Sequence, residues 1–271
     1  MRDGIDKINL KVWINVIPQL IARIDIKEAM IKQLLIDLLE RLSQRYPQAL
    51  VYSLSVSKKS RTKERREAAE ALINKLKLTQ GTLIEQANMV SDELIRAAIL
   101  LSETWTESIE EASRIYFAKN DAETMINHLK DLHKKMEKEP ETMNEINFYQ
   151  GFASDLEEAQ LWTGLYQRTK NPADMNQAWD IYFNVFKRIQ SKYQNVQFYE
   201  LRNVAPKLLA SENLQIAVPG TFRCGHRITR IAKFSQVLPV FSSKQHPRKM
   251  NLTGDDGREY VFLLKGHEDI R

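Results

Sequence analysis

Two stretches of the sequence place several aromatic side chains on one face of a predicted helix. Residues 178–189 read AWDIYFNVFKRI, and positions i, i+3, i+4 and i+7 of this stretch are Trp179, Tyr182, Phe183 and Phe186. Residues 105–117 read WTESIEEASRIYF, in which Ile109, Ser113, Tyr116 and Phe117 line up in the same way. Two such helices can bury rings together and leave an apolar cleft at the rim, the kind of surface that holds a ligand. From periodicity alone, an ordinary helical core is the favoured interpretation.

The sequence by itself predicts no catalytic residues and no metal site. The five histidines, His246 and His267 among them, lack metal-ligand spacing, and no Ser–His–Asp arrangement can be argued. The single cysteine, Cys224, excludes an internal disulfide and any zinc site built from several cysteines. A lone cysteine fits a reducing, cytosolic setting.

The composition predicts a soluble intracellular protein. With 271 residues, 43% of them hydrophobic, the chain can bury a substantial core, and about two domains are expected. No apolar run approaches the ~20 residues that span a bilayer, so no transmembrane segment is predicted. The N-terminus carries charges where a signal peptide would be apolar.

The positive charge of the chain does not indicate nucleic-acid binding. A net charge of +5 results from 40 basic and 35 acidic residues, which describes a mixed surface. The most basic segment, residues 57–66 (SKKSRTKERR), has no interleaved aromatic residue on which bases could stack. A solvated helix face is therefore favoured for it over a nucleic-acid patch.

Helical patterns fill the N-terminal part of the sequence. An apolar stripe over residues 13–24 is interrupted by Pro18, which should end or kink the helix, and a second stripe over residues 34–42 is closed by Pro47. Successive short amphipathic helices of this kind favour a helical-hairpin array.

Farther along, the pattern predicts longer helices. One helix is expected over Glu67–Leu78, Gly81 breaks the pattern, and an apolar-periodic segment then continues from Leu83 to Trp105. Four more helices follow between residues 105 and 192, ending near residues 119–121, 139–140, 170–172 and 192. Short connections between helices of similar length favour an antiparallel four-helix bundle.

After about residue 193 the pattern changes to short alternating stretches. These predict strands at residues 214–218, 228–231, 237–241, 249–253 and 259–264, with the sequence Gly254-Asp255-Asp256-Gly257 as a hairpin turn. The sheet would have an exposed edge and an uncovered face, and the chain would be truncated. The predicted fold class is therefore mainly α, with a helical-hairpin array over residues 1–95, a four-helix bundle over 96–192 and a partial β-rich region over 193–271.

The amino-acid sequences of these segments resemble those of the target-of-rapamycin (TOR) kinases of the phosphatidylinositol-kinase-related family. The segments also follow one another in the same order as in that family. Segments VWINVIPQLIARID, RYPQALVY and MVSDELIRAAIL are similar to the end of the helical FAT region. The bundle segments WTESIEEASRIYF, FYQGFASDLEEAQLW and NQAWDIYFNVFKRI resemble the FKBP–rapamycin-binding (FRB) domain. Segments LQIAVPGTF, SSKQHPRKM and EYVFLLKGHEDIR resemble the first strands of the kinase small lobe.

The FRB resemblance implies a macrolide pocket that also recruits protein substrates. Trp179 would form its floor, Phe117 would be one of its walls, and the small Ser113 would keep it open. Asn176 stands where the family commonly has threonine, and Ala118 stands where glycine is usual. The larger and more polar Asn176 is expected to weaken rapamycin binding. The implied pocket residues are Ile109, Ser113, Tyr116, Phe117, Asn176, Trp179, Asp180, Phe183 and Phe186.

The resemblance also implies partners for this face. An FKBP-type prolyl isomerase carrying rapamycin and protein substrates would bind there. Phosphatidic acid is a further candidate, because Lys187 and Arg188 could meet a lipid phosphate. Both residues could equally be solvated charges that offset the helix dipole, which is the favoured interpretation.

The kinase resemblance implies part of an ATP site. Lys265 matches the strand lysine that contacts ATP phosphates, Glu268 matches an acidic residue that can pair with it, and Ser242, Ser243 and Lys244 match the phosphate-covering loop. No D-F-G and no D-R-H-x-x-N sequence is present, so the chain carries no catalytic aspartate or magnesium ligands. ATP and Mg²⁺ are accordingly expected only in the full-length parent, and no cofactor is expected for this chain alone.

Two functions follow as hypotheses. In the first, the chain is a piece of a TOR-type serine/threonine protein kinase that controls growth signalling, in a complex with a Raptor-like scaffold and a WD-repeat subunit. Such a complex would be cytoplasmic and peripheral on endomembranes such as the lysosome or vacuole. In the second, the chain is a stand-alone, non-catalytic helical module that presents the FRB-like cleft.

Overall fold

The computed structural model describes residues 7–119, 121–243 and 245–266, without the side chain of Lys119. The chain is mainly helical, with a small antiparallel sheet region toward its C-terminus, as the sequence predicted. Two compact units can be distinguished. The first comprises Met1–Leu94, Lys207–Ser235 and Asn251–Phe262, and the second comprises Ile95–Pro206, Gln236–Met250 and Leu263–Arg271.

The N-terminal helices follow the proline signals. Pro18 lies in the first turn of a new helix, and Pro47 likewise opens a helix rather than only closing the one before it, because a missing N–H costs nothing there. The helices are α1 (Leu10–Trp13), α2 (Ile17–Ile21), α3 (Ala29–Arg45) and α4 (Pro47–Ser57), and a 3₁₀ turn at Ile14–Val16 joins the first two.

Helix α5 (Lys63–Ala98) is longer than the sequence predicted. It begins four residues before the expected Glu67, and its backbone is non-helical at Gln80 (φ −133°, ψ 45°), next to the glycine that was expected to break the pattern. It ends at Ala98, so the segment predicted to continue as far as Trp105 is interrupted at residues 99 and 100. The carboxylate of Glu103 accepts a hydrogen bond from the Leu100 amide at 3.1 Å and thereby satisfies a free N–H where the next helix starts.

Four helices in the second unit share one core. They are α6 (Leu101–Lys119), α7 (Ala122–Met136), α8 (Met143–Thr169) and α9 (Pro172–Tyr193), and their ends lie close to the predicted ones. Helix α8 opens with a reciprocal capping box between Thr142 and Glu145, and it ends at Lys170 in the left-handed conformation (φ 54°). The shared core contains Trp105, Ile109, Leu129, Phe148, Phe152, Leu156, Tyr182, Val185 and Ile189.

The C-terminal strands differ from prediction in number and position. Strand β1 (Phe198–Glu200) and the short helices α10 (Leu201–Val204) and α11 (Pro206–Leu209) were not predicted. Strand β2 occupies Ile231–Phe234 rather than 228–231, and its pairing with β4 has an irregularity between Ile231 and Lys233. Strands β3 (Val237–Pro239), β4 (Arg248–Gly254) and β5 (Glu259–Leu264) lie near their predicted places, in the orders β1-β3 and β2-β4-β5.

The segment predicted as a strand at residues 214–218 forms one bridge, between Ala217 and Arg230, and is not a regular strand. Its backbone nevertheless pairs with residues 229–231, because the Leu214 and Val218 amides donate to the Ile231 and Thr229 carbonyls at 2.8 and 2.9 Å. Side chains take two of its other amides, since Gln48 Oε1 accepts from the Ala217 N–H at 2.9 Å and Gln86 Oε1 accepts from the Gln215 N–H at 2.6 Å. The Gln215 and Ala217 amides point away from residues 229–231, so glutamine side chains satisfy the edge of the segment that no strand covers.

A buried arginine links the start of β4 to the adjoining helix ends in the second unit. Arg248 is 1% exposed, and its guanidinium donates to the Ala98 carbonyl at 2.8 Å and to the Glu103 carboxylate at 2.6 Å. The guanidinium carbon also lies 5.4 Å from the ring centroid of Tyr199. Burial, with Glu103 as a smaller cause, raises the pKa of Tyr199 to about 12.

A second polar group lies inside the helical core. The His133 side chain is buried, its ring meets Trp105 edge-on at 5.1 Å between centroids, and its Nε2 is 2.8 Å from the Tyr182 hydroxyl oxygen. Burial lowers the pKa of His133 to about 4, so this histidine is neutral in the folded protein at neutral pH.

The buried histidine predicts a specific loss of stability in acid. Because the pKa of His133 rises from about 4 to an unfolded value of about 6.5, the unfolded chain binds the proton more readily. The free energy of unfolding should fall by up to about 3 kcal/mol as the pH is lowered from about 6.5 to about 4. Urea unfolding of the wild type and His133→Gln across this range should show a smaller pH dependence in the variant. His128→Gln, at an exposed site on the same helix, should retain the wild-type dependence, and an equal effect of both variants would contradict the assignment.

Candidate functional site

The ends of α6 and α9 bring the predicted aromatic residues together. The Phe117 ring meets the Trp179 ring edge-on at 5.4 Å between centroids, and Tyr116 lies 5.0 Å from Phe117 and 6.1 Å from Trp179. Asn171 caps the start of α9 through a hydrogen bond from the Ala173 amide to its side chain, and Pro172 follows in the first turn. These two signals set where α9 begins and so where its rings fall.

The rings nearest the surface are exposed to an unusual degree. Phe117 is 65% exposed and Phe183 is 45% exposed, whereas Trp179 and Phe186 are half-buried. Phe183 and Phe186 stack with an interplanar angle of 13° at 6.4 Å between centroids. We call the set Tyr116, Phe117, Trp179, Phe183 and Phe186 the aromatic cluster. An exposed group of large apolar rings is the surface that a ligand or partner can bury.

The remaining predicted pocket residues differ in exposure. Ser113 is half-buried, and Asn176 and Asp180 are exposed. Ile109 is 2% exposed and belongs to the core that the four helices share. Tyr182, which the periodicity placed on the same face as the rings of α9, points into that core as well and is 1% exposed.

The two cations beside the cluster make different contacts. Lys187 Nζ lies 4.6 Å from the centroid of the Phe183 ring, a cation–π distance. Arg188 pairs with the Asp155 carboxylate, donates to the Gly151 carbonyl at 2.8 Å and lies over Phe152. Arg188 therefore has carboxylate and carbonyl partners within the chain, and Lys187 is the more accessible of the two for an added phosphate.

The residues matched to an ATP site are only partly within the described structure. Lys265 follows β5 and is exposed, and Ser242 and Ser243 are exposed in the loop between β3 and β4. A hydrogen bond from the Phe241 amide to the Pro247 carbonyl, at 2.9 Å, closes that loop. Lys244 and Glu268 lie outside the described residues.

Sequence reasoning missed a cleft of about 640 Å³ in the second unit. One wall is helix α6 with Glu103, Glu107 and Glu110, and the other sides include Tyr193 of α9 and His246 of the loop before β4. Acidic residues at i, i+4 and i+7 were the signal in the sequence, since this spacing lines one helix face with carboxylates. Sequence alone could not supply the opposite wall.

The described part of the chain has neither a metal-binding group of side chains nor a membrane-spanning helix. Within it, no group of three or more His, Cys, Asp or Glu side chains could hold a metal ion. No helix there is both long and apolar enough to cross a membrane.

Comparisons with known proteins match the whole length of the chain. Residues 93–191 match the family model of the FKBP12-rapamycin binding domain, and residues 1–100 match that of the ATR-like serine/threonine-protein kinase HEAT repeats. Serine/threonine-protein kinase TOR2 of Saccharomyces cerevisiae is 43% identical over 100% of the chain and 11% of its own length. Serine/threonine-protein kinase mTor of Drosophila melanogaster is 42% identical over 99% and 11%, and serine/threonine-protein kinase TOR of Arabidopsis thaliana is 41% identical over 100% and 11%. The chain thus spans about a tenth of the length of these relatives.

The exposure of the Phe117 ring predicts that it contributes little to the free energy of unfolding. Phe117→Ala should change the free energy of unfolding by less than about 1 kcal/mol, because the ring is already largely in water. Phe148→Ala, which removes a ring that is 1% exposed, should cost about 3–5 kcal/mol. Denaturant unfolding of both variants checks this, and equal losses would mean that Phe117 is part of the core.

Proposed function

The chain belongs to the target-of-rapamycin family of serine/threonine-protein kinases, and we propose that its aromatic cluster binds an FKBP-type prolyl isomerase carrying rapamycin and recruits protein substrates. The observation that supports this proposal is the exposure of Phe117 and Phe183 beside the half-buried Trp179. In this proposal α6 to α9 form an antiparallel four-helix bundle of FRB type over residues 96–192. Residues 1–95 would be the C-terminal part of a FAT region, and residues 193–271 the N-terminal part of a kinase small lobe.

The physical basis of binding is the burial of apolar rings that folding has left exposed. A macrolide offers a largely apolar face, and covering Phe117, Phe183 and the edge of Trp179 removes their surface from water at about 25 cal/mol per Å². Ser113, on the face of α6 that leads to Phe117, contributes little volume, so the ligand has room beside the rings. Asn176 is exposed at the start of α9, and its amide adds a polar group that an apolar ligand would have to desolvate.

In the whole kinase, the C-terminal strands would contribute to ATP binding. Lys265, at the end of β5, would reach the phosphates as a point charge, with Glu268 as its pairing partner. Ser242, Ser243 and Lys244 would cover the phosphates, and the catalytic and magnesium-binding groups would come from other parts of the polypeptide. Magnesium supplies charge neutralisation of the phosphates when it is bound.

The proposal also covers the protein partners and the cellular location of the parent kinase. A Raptor-like scaffold and a WD-repeat subunit would bind the parent kinase, which would act in the cytoplasm and on the surface of endomembranes. Phosphatidic acid would contact the cluster through Lys187, since the exposed ammonium over the Phe183 ring can meet a lipid phosphate. Transfer of the ATP γ-phosphate to serine or threonine is the proposed reaction.

Enlarging Ser113 should prevent ligand binding. The 271-residue chain should bind an FKBP–rapamycin complex in a calorimetric titration, and Ser113→Leu should weaken that binding by about 100-fold or more, because the added volume competes with the ligand. Ser191→Leu adds the same volume at an exposed site near the end of α9 and should leave the affinity unchanged. Absence of binding by the wild type at high micromolar concentration would refute the assignment of the cluster.

The kinase assignment can be tested on the endogenous protein. An antibody raised against residues 105–192 should detect a polypeptide several times larger than 31.6 kDa, and the precipitate should phosphorylate protein substrates on serine or threonine. Lys265→Met in that polypeptide should lower the transfer rate by orders of magnitude, because a phosphate contact is lost in the transition state. A band near 31.6 kDa without transfer activity would refute the kinase proposal and favour the non-catalytic module.

A further inference from the structure

The first unit contains a cavity with an unusual charge pattern. Its volume is about 550 Å³, within the range of small-ligand sites. Three arginines and a histidine line it, namely Arg45, Arg223, Arg230 and His226, and no aspartate or glutamate is among the described residues that line it. We infer that this cavity binds a compact anion that carries two or more phosphate groups, a site independent of the aromatic cluster and of the proposed ATP residues.

The arginines are available for a ligand. Arg45, Arg223 and Arg230 are exposed, and none of their guanidinium groups has a carboxylate partner among the described residues. The Asp255 carboxylate is engaged elsewhere, since it accepts from the Arg230 backbone N–H at 3.0 Å and lies 3.5 Å from the Arg227 guanidinium. Three unpaired guanidinium groups in one cavity repel one another, and a multivalent anion relieves that repulsion while accepting charge-assisted hydrogen bonds.

Local backbone geometry places Arg223 and His226 at the two ends of one turn. The His226 amide donates to the Arg223 carbonyl at 3.2 Å, which closes a turn, and Gly225 within it has φ +84°, a conformation that favours glycine. The turn therefore presents the Arg223 and His226 side chains from its two ends. Both side chains are exposed.

The opposite wall adds a helix terminus and fixed amide groups. Helix α4, which has 11 residues, begins at Pro47 in the cavity wall, and its N-terminus has no side-chain cap. A helix N-terminus carries a partial positive charge that favours anions, here as an addition to the arginines. Gln48 is held in place by bonds to the Gln215 carbonyl at 2.7 Å and the Ala217 amide at 2.9 Å, so this wall is preorganised.

Charge and shape together select the ligand. Guanidinium groups bind phosphate oxygens in pairs, and three of them carry more positive charge than one orthophosphate or sulfate carries negative charge. Linked phosphates carry more charge over a longer ion, so they can neutralise all three. The same chemistry is present in a free oligophosphate and in the headgroup of a phosphorylated lipid.

Tripolyphosphate is a suitable probe for the full 271-residue chain. In a titration at low ionic strength without divalent cations, it should bind at least about tenfold more tightly than orthophosphate or sulfate, and added salt should weaken it. Each of Arg45→Gln, Arg223→Gln and Arg230→Gln should weaken binding by roughly tenfold. Arg61→Gln removes the same charge from an exposed site of the same unit outside the cavity and should leave the affinity unchanged.

Vesicles containing a phosphatidylinositol bisphosphate distinguish the two sources. If the vesicles compete with tripolyphosphate, the cavity binds anions and its ligand is a lipid headgroup. If tripolyphosphate binds and the vesicles do not, the cavity binds anions and its ligand is a soluble oligophosphate. Absence of tripolyphosphate binding, equal binding of sulfate, or equal weakening by Arg61→Gln would overturn the inference. Loss of binding in Lys265→Gln with the three cavity variants unaffected would also overturn it, because the anion would then lie at the β5 lysine.

Discussion

The contact between Trp105, His133 and Tyr182 inside the four-helix core decides what the second unit presents to solvent. Trp105 is fully buried, and the hydrogen bond between His133 Nε2 and the Tyr182 hydroxyl gives the buried tyrosine a polar partner. With Tyr182 held inward, helix α9 cannot rotate about its axis without exposing that pair. Phe183, one residue later and about 100° around the helix, is consequently turned outward. The aromatic cluster is thus a consequence of core packing.

The buried Arg248 imposes a second constraint within the same unit. A guanidinium that is 1% exposed loses most of its hydration, and the Glu103 carboxylate and the Ala98 carbonyl compensate for it. Glu103 also caps the start of α6 through the Leu100 amide, so one carboxylate both begins the helix that carries Phe117 and neutralises the strand arginine. Removing it would leave a helix start and a buried charge unsatisfied together. Such shared use of one side chain makes the position of β4 relative to α6 specific.

The two cavities differ in a way that restricts their ligands. In the first unit the lining is cationic, without a carboxylate among the described residues, which favours anions. In the second unit, the cleft beside α6 has a mixed lining, in which three glutamates, one of them paired with Arg248, lie near Arg114 and His246. The aromatic cluster is mainly apolar and favours ligands with little charge. The cationic cavity and the mainly apolar cluster therefore differ in the ligands that they favour, and Lys187 is the cation that lies on a ring of the cluster.

Periodicity and turn chemistry in the sequence were sufficient to locate most helices. Pro47 and Pro172 mark helix starts because the proline ring fixes φ and removes an N–H, a restriction that acts locally whatever the tertiary structure. Gly81 marks only the irregularity at Gln80 within α5. The segments predicted least well are those whose hydrogen bonds go to distant residues. Residues 214–218 pair with residues 229–231, but Gln48 and Gln86 take two of their amides, and no local pattern could reveal partners more than a hundred residues away.

The sequence by itself determined the set of amphipathic helices, the aromatic residues on α6 and α9, and the family whose amino-acid sequences these segments resemble. It could not separate Tyr182 from Phe183, because both lie on the apolar side of one helix and only the packed core, with the contact to His133, assigns the first to the interior. Tertiary structure alone likewise decided that Arg45, Arg223 and Arg230 line one cavity, since residues so far apart in sequence come together only when the chain folds. Local rules act over a few residues, whereas burial and charge clustering depend on contacts that form across the whole chain.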